Sequence, residues 1–318
     1  MKPVSPALNP GPPRDDAHQS RESFSQKDID ALAGSLKKQW KCYRKELKRC
    51  QKKFSTKAIH DFRVEGRRLL SSAELLGGFV SAGRLRDIQC ALKKNLDLFD
   101  DLRDTQVQLP AVAGLLRLHP SARSFHSHLR KCEERFAKKT RKRLRRVRTR
   151  RLARLVSGYR KAVEARLAGC SVQKATSTLV RCVESAFRRT RRLRAEIDPS
   201  DTDTIHGTRV AFKKFRYMME ALAGYLPGVT VSYLERLHAY QTKMGEVQDA
   251  QVLVDALDKF LGKKEIETAG ANRFRDELLR RRRRLIRQYL SAADQLSEFW
   301  PLTARVPRVG HAESTGKL

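Results

Sequence analysis

The chain of 318 residues has no stretch of 18 apolar residues and no apolar segment behind Lys2, which argues against a membrane-spanning helix and a standard secretory leader. It also lacks a C-x-x-C pair and any histidine-rich partner cluster. Its six cysteines (Cys42, Cys50, Cys90, Cys132, Cys170, Cys182) therefore read as reduced, mostly buried thiols of a cytoplasmic protein, with no zinc site. There is no G-x-S-x-G, no H-E-x-x-H, no G-x-x-x-x-G-K-[ST] and no glycine-rich strand-to-helix loop, so hydrolase and nucleotide-loop chemistry has no anchor. Aromatic residues make up only 7% and fall mostly at core positions, which leaves few to stack on bases. Strand-like alternation of any length is missing as well.

The most telling shortage is of acid. Against 35 Asp and Glu stand 68 Lys and Arg, a formal net charge of +33. A compact chain with that excess repels itself, and the charge implies a polyanionic partner. Nucleic acid, an anionic membrane surface and inorganic polyphosphate all meet the requirement at this level, because each releases condensed counterions when cations replace them.

Residues 1–24, rich in proline and small polar residues, read as a disordered arm, and residues 301–318 as a flexible tail. Between them apolar residues recur at helical spacing. Ile29, Leu32, Leu36, Trp40, Tyr43 and Leu47 oppose Lys37, Lys41, Arg44, Lys48 and Lys52 on a first helix. A second helix starts from an N-cap at Ser55–Thr56 and stops at Gly77–Gly78. A third runs from about Ser81 to near Pro120, bending at Pro110, and a fourth spans about 121–168. The basic run Arg141 to Arg154 lies on this fourth helix, with Leu144, Val147, Leu152 and Leu155 as its apolar seam.

The second half repeats the first. Ile59-His60-Asp61-Phe62-Arg63-Val64-Glu65-Gly66-Arg67-Arg68-Leu69 returns as Ile205-His206-Gly207-Thr208-Arg209-Val210-Ala211-Phe212-Lys213-Lys214-Phe215. A matched D-x-Q-V follows each copy, at Asp104 and at Asp249. The expected fold is all-α, two tandem four-helix bundles related by pseudo-two-fold symmetry, over residues 25–169 and 170–300.

On a helix, positions i, i+3, i+7 and i+11 share a face. His60, Arg63, Arg67 and Ser71 then form one stripe, and His206, Arg209, Lys213 and Tyr217 its twin, with Arg68 and Lys214 beside them. Such a stripe presents point charges and forked donors about 5 Å apart per turn, a spacing suited to a chain of phosphates. Lys41, Arg44 and Lys48 of the preceding helix are expected to flank the first stripe, and Arg188, Arg191 and Arg192 the second. Asp104 and Asp249 read as partners that orient basic motif residues rather than as metal ligands, and Glu74 and Glu220 as ion-pair residues. Gly66 inside the motif helix costs about 1 kcal/mol relative to alanine unless close packing needs it.

The duplicated H-x-x-R-V-x-x-[RK]-[RK]-[LF], each copy followed some 44 residues later by D-x-Q-V in a basic helical chain, resembles the conserved histidine α-helical domain, CHAD. The resemblance spans about residues 25–300. It implies paired four-helix bundles around a basic channel that binds inorganic polyphosphate, with His60, Arg63, Arg67, Arg68, His206, Arg209, Lys213 and Lys214 at the motif positions. The chain lacks the E-x-E-x-K strand of the CYTH domain to which many members are fused, so the expectation is a stand-alone, non-enzymatic binder without cofactor, associated with polyphosphate granules. A nucleic-acid binder using the same basic surface is the alternative.

Overall fold

Ser25, Ser55, Ser171 and Asp201 each start a helix by accepting a backbone N–H into the side chain, and Ser25 completes a reciprocal capping box with Asp28. The computed structural model describes residues 25–226, 228–264 and 269–301. The arm at 1–24, the tail beyond residue 301 and Pro227 lie outside the described residues.

Among the described residues the fold is all-α, as expected, with ten helices. They are α1 (Gln26–Lys52), α2 (Thr56–Leu75), α3 (Ala82–Leu96), α4 (Asp100–Ala113), α5 (Arg123–Arg145), α6 (Arg150–Ala168), α7 (Val172–Ala195), α8 (Thr202–Leu222), α9 (Val231–Lys264) and α10 (Ala269–Leu290). The motif helix α2 begins and ends close to the expected positions. Gly77 and Gly78 lie in a short 3-10 turn after α2, where a Cβ on Gly78 would meet Thr178 Cγ2 at 2.5 Å, so close approach to α7 is what demands glycine there.

Two segments differ from the expectation of single long helices. The third breaks at a 3-10 turn over Asp97–Phe99 rather than bending at Pro110, which lies within α4. The fourth breaks between Arg145 and Arg150. Both breaks release backbone carbonyls, and distant side chains take them up. Arg63 Nη1 donates to Leu96 O at 3.0 Å and Thr140 Oγ1 to Leu98 O at 3.1 Å. Gln51 Nε2 donates to Leu144 O at 3.0 Å and Val147 O at 3.2 Å. Such caps come from remote parts of the chain, so no local pattern announces them.

The larger core combines both halves, from Ile29, Tyr43, Phe62 and Phe99 through Val183, Phe212, Phe215 and Tyr240. A second core joins Val112 of α4 and Phe125 and Leu129 of α5 to Leu253, Leu257 and Phe260 of α9 and Phe274 and Leu278 of α10. The thiols are all free, but only Cys50 is buried. Cys90 is exposed and the other four are partly exposed, which corrects the expectation of mostly buried cysteines. They lie at the margins of apolar stripes rather than along their centres.

Candidate anion-binding cleft

Helix α2 packs directly against α8, so the two copies of the motif meet instead of facing separate grooves. Between α2, α3, α7 and α8 lies a cleft of about 1120 Å³. Arg67, Ser71 and Glu74 line it from α2, and His206, Lys213, Lys214 and Tyr217 from α8. Gly66, on the neighbouring face of α2, allows the end of α3 to approach: a Cβ there would meet Leu96 Cδ2 at 2.8 Å.

The inner end of the cleft is crowded with cations. Lys213 feels Arg67, Arg209, Arg63 and Arg216, and burial together with these charges lowers its ammonium from the usual range to about 7. Burial also lowers Arg67 and Arg209 from their ordinary values, with Arg63 adding to the effect on Arg67. Counter-charge is partial. Arg63 Nη1 is 3.0 Å from Asp100 Oδ1, Arg216 pairs with Glu220, and Asp249 acts on Arg209. Lys213 forms no ion pair among the described residues, and the Arg209 Nε is buried without a hydrogen-bond partner.

The remaining contacts hold these groups in place. Tyr217 is buried beneath Arg216, whose guanidinium lies 4.3 Å from the ring centre, and its hydroxyl lies close enough to Arg67 to favour the charged guanidinium. His206 bonds through Nδ1 to the Gln248 side-chain amide at 2.8 Å. Asp249 of the second D-x-Q-V does accompany a motif arginine, as the spacing suggests. In the first half the partner of Arg63 is Asp100, while burial, Asp100 and Asp249 raise the carboxyl of Asp104 above its usual range.

Other expected residues lie elsewhere. His60 and Arg68 border a smaller cavity of about 350 Å³ with Cys42, Lys45, Glu46, Asp61 and Glu65. This is where the repeat is asymmetric. Asp61 and Glu65 stand where the second copy has Gly207 and Ala211, and they are engaged with Arg49 at 2.9 Å and Arg68 at 2.7 Å. The first copy thus carries counter-anions within the motif itself, whereas the second draws the carboxylates near Arg209 and Lys214 from Asp249 of α9 and Glu74 of α2.

Lys41, Arg44 and Lys48 project from the exposed face of α1 and border neither cavity, and Arg188, Arg191 and Arg192 are likewise exposed on α7. Arg188 and Arg192 face Glu184 and Glu196 at 3.7 and 3.8 Å. The α7 cations that line the cleft are Arg181 and Arg189, joined by Lys93 of α3. Their signal was present in the sequence: Arg181, Ser185 and Arg189 recur at intervals of four beside the small residues Cys182 and Ala186.

The model of the CHAD domain family matches residues 31–258. The fold is similar to the crystal structure of the CHAD domain from the plant Ricinus communis, with a TM-score of 0.59 at 17% identity over 88% of this chain and 91% of that one. It is also similar to PptA from Streptomyces chartreusis, with a TM-score of 0.58 at 16% identity over 85% of this chain and 99% of that one. At these identities the likeness is one of fold. Among curated proteins none matches the sequence. With the family model covering well over half of its length, the chain belongs to the CHAD domain family.

Proposed function

We propose that the cleft between α2, α3, α7 and α8 binds inorganic polyphosphate and holds it without cleaving it. The observation that carries this reading is Lys213, half-buried among four arginines, of which Arg63 and Arg216 are buried, and without an ion-pair partner among the described residues. A desolvated cation cluster is self-repelling, and an anion from outside removes the cost. Membership of a family associated with polyphosphate binding supports the choice of anion.

The ligand is extended rather than compact. Arg181 and Arg189 are eight residues apart on α7, about 12 Å along the axis, and Lys93, Arg67 and Lys214 continue the cationic lining on three further helices. A linear phosphate chain offers repeated charge over that length. A nucleic acid would also want exposed aromatic faces, and Tyr217, the aromatic residue in the lining, is buried under Arg216.

Titration calorimetry with long-chain polyphosphate tests the reading. Binding should be tight and salt-dependent, with a log–log slope of about 0.7 per neutralised phosphate by analogy with single strands. RNA that displaces polyphosphate at equal phosphate concentration would favour the nucleic-acid alternative. Release of phosphate in Mg²⁺ or Mn²⁺ would contradict binding without cleavage. A fluorescent fusion that stays away from polyphosphate granules would contradict association with them.

A further inference from the structure

A second cationic pocket of about 460 Å³ lies on the other side of α3, bounded by the end of α5, the break after it and the start of α6. It shares no lining residue with the cleft. Gln89, Lys93 and Leu96 of α3 face the cleft, while Cys90, Ala91 and Lys94 of α3 face this pocket, so α3 is the partition between them. Five cations line the pocket, Lys94, Arg143, Arg146, Arg148 and Arg151, against the single carboxylate of Asp87. All five are exposed, and none forms an ion pair among the described residues.

The break in the basic run is what creates the pocket. In a continuous helix these arginines would point around the axis by about 100° per residue and form no common face. Instead α5 ends at Arg145, Gln51 holds the Leu144 and Val147 carbonyls, and α6 restarts at Arg150. Arg143 and Arg146 are thereby brought beside Arg148 and Arg151 over a floor that includes buried Leu152. The arrangement is held from a distance and is not a loose charged tail.

Resting on the polyphosphate reading of the cleft, we propose that this pocket is a second contact for the same polyphosphate chain, which crosses the exposed edge of α3 from Lys93 to Lys94. A helix with its side chains is about 10–12 Å across, so a long chain spans both sites and a short one occupies a single site. Linking two contacts in one ligand raises affinity through effective concentration, without any new kind of interaction.

The test compares chains of a few phosphates with chains of many, on the full protein, for two variants. One is Arg143→Gln/Arg146→Gln/Arg148→Gln/Arg151→Gln in the pocket, where exposed side chains tolerate the change. The other is Lys213→Met in the cleft. The pocket variant should lose at least about tenfold in affinity for long chains and about 0.7 in salt slope per contact removed, while short chains bind the cleft as before. The cleft variant should lose affinity for both lengths. Unchanged long-chain affinity and slope in the pocket variant, with the cleft variant weakened, overturns the second contact and leaves the cleft standing. A cleft variant that binds both lengths like the parent overturns the cleft reading itself, and with it this extension. Circular dichroism melting of the pocket variant confirms that any loss is not unfolding.

Discussion

Lys214 of α8 reaches across to Glu74 of α2, Nζ to Oε1 3.6 Å, so a carboxylate that follows the first motif neutralises a cation of the second. Gln89 Nε2 also donates to that Glu74 oxygen, at 2.7 Å. The pair stitches the two halves together at the wall of the cleft, and it subtracts one positive charge from it.

Glu74→Gln should therefore strengthen polyphosphate binding, by about two- to fivefold, because it releases Lys214 to the ligand. The Lys214 side chain is 39% exposed but that of Glu74 only 9%, and a glutamine keeps an oxygen for Gln89, so the change should cost the fold about 1–2 kcal/mol. Calorimetry and a thermal melt on the same sample check both parts. Weaker binding with an unchanged melt would mean that Glu74 positions Lys214 instead of competing with the ligand.

Asp61 and Glu65 explain why the repeat is duplicated in sequence yet unequal in charge. Replacing them by the residues of the second copy, Asp61→Gly and Glu65→Ala, frees Arg68 from its ion pair of 2.7 Å and leaves Arg49 with one carboxylate, Glu46 at 3.0 Å, in place of two. The double variant should bind long polyphosphate more tightly and with a steeper salt dependence, by about 0.7 to 1.4 in slope for one or two added contacts. An unaltered slope would show that the first copy cannot contribute to binding even when uncovered.

The lowered ammonium of Lys213 gives a pH signature of definite sign. In the folded, unliganded protein its value is about 7, whereas an unfolded chain keeps the proton to about 10.4. Between those limits the unfolded state holds more protons, so stability of the unliganded protein rises with pH, by up to about 1.4 kcal/mol per unit for this group. The penalty is present in full below the folded value. Lys213→Met should flatten this part of the pH–stability curve and should not destabilise the fold at pH 6. With polyphosphate bound the proton returns, so binding at pH 8 should take up protons, measurable by calorimetry in buffers of different ionisation enthalpy.

Much of the fold was legible because its signals are local. The cap at Ser55, the stop at Gly77–Gly78 and the apolar stripes are properties of neighbouring residues. The two breaks were not legible, since Arg63, Thr140 and Gln51 cap them from far along the chain. The site was half legible for a related reason. Helical periodicity tells which residues share a face but not which helix that face meets. His60 and Arg67 share a stripe on α2, yet only Arg67 is far enough along it to reach α8, and α7 turns Arg181 and Arg189 to the cleft while Arg188 and Arg192 face solvent.

Gly66 and Gly207 offer a test of packing that is independent of ligand. Each lies within a motif helix, and alanine carries a propensity gain of about 1 kcal/mol over glycine. At Gly207 nothing lies within 4 Å of the added Cβ, so Gly207→Ala should stabilise by about that amount. At Gly66 the Cβ meets Leu96 at 2.8 Å and Tyr43 at 3.6 Å, and the displacement should cancel or reverse the gain. Denaturant unfolding of the two variants should differ by about 1 kcal/mol or more, in favour of Gly207→Ala.

The central claim is that a few half-buried cations, and not the bulk of the +33 charge, hold the polyanion. It is tested most directly by comparing long-chain polyphosphate affinity for Lys213→Met with that for Lys41→Gln/Arg44→Gln/Lys48→Gln on the exposed face of α1. The single cleft substitution should weaken binding by about tenfold or more, the scale of one charged hydrogen bond lost in a desolvated site, while the triple should change it by less than about threefold despite removing three times the charge. A loss that follows the number of charges removed, larger for the triple than for Lys213→Met, would contradict it.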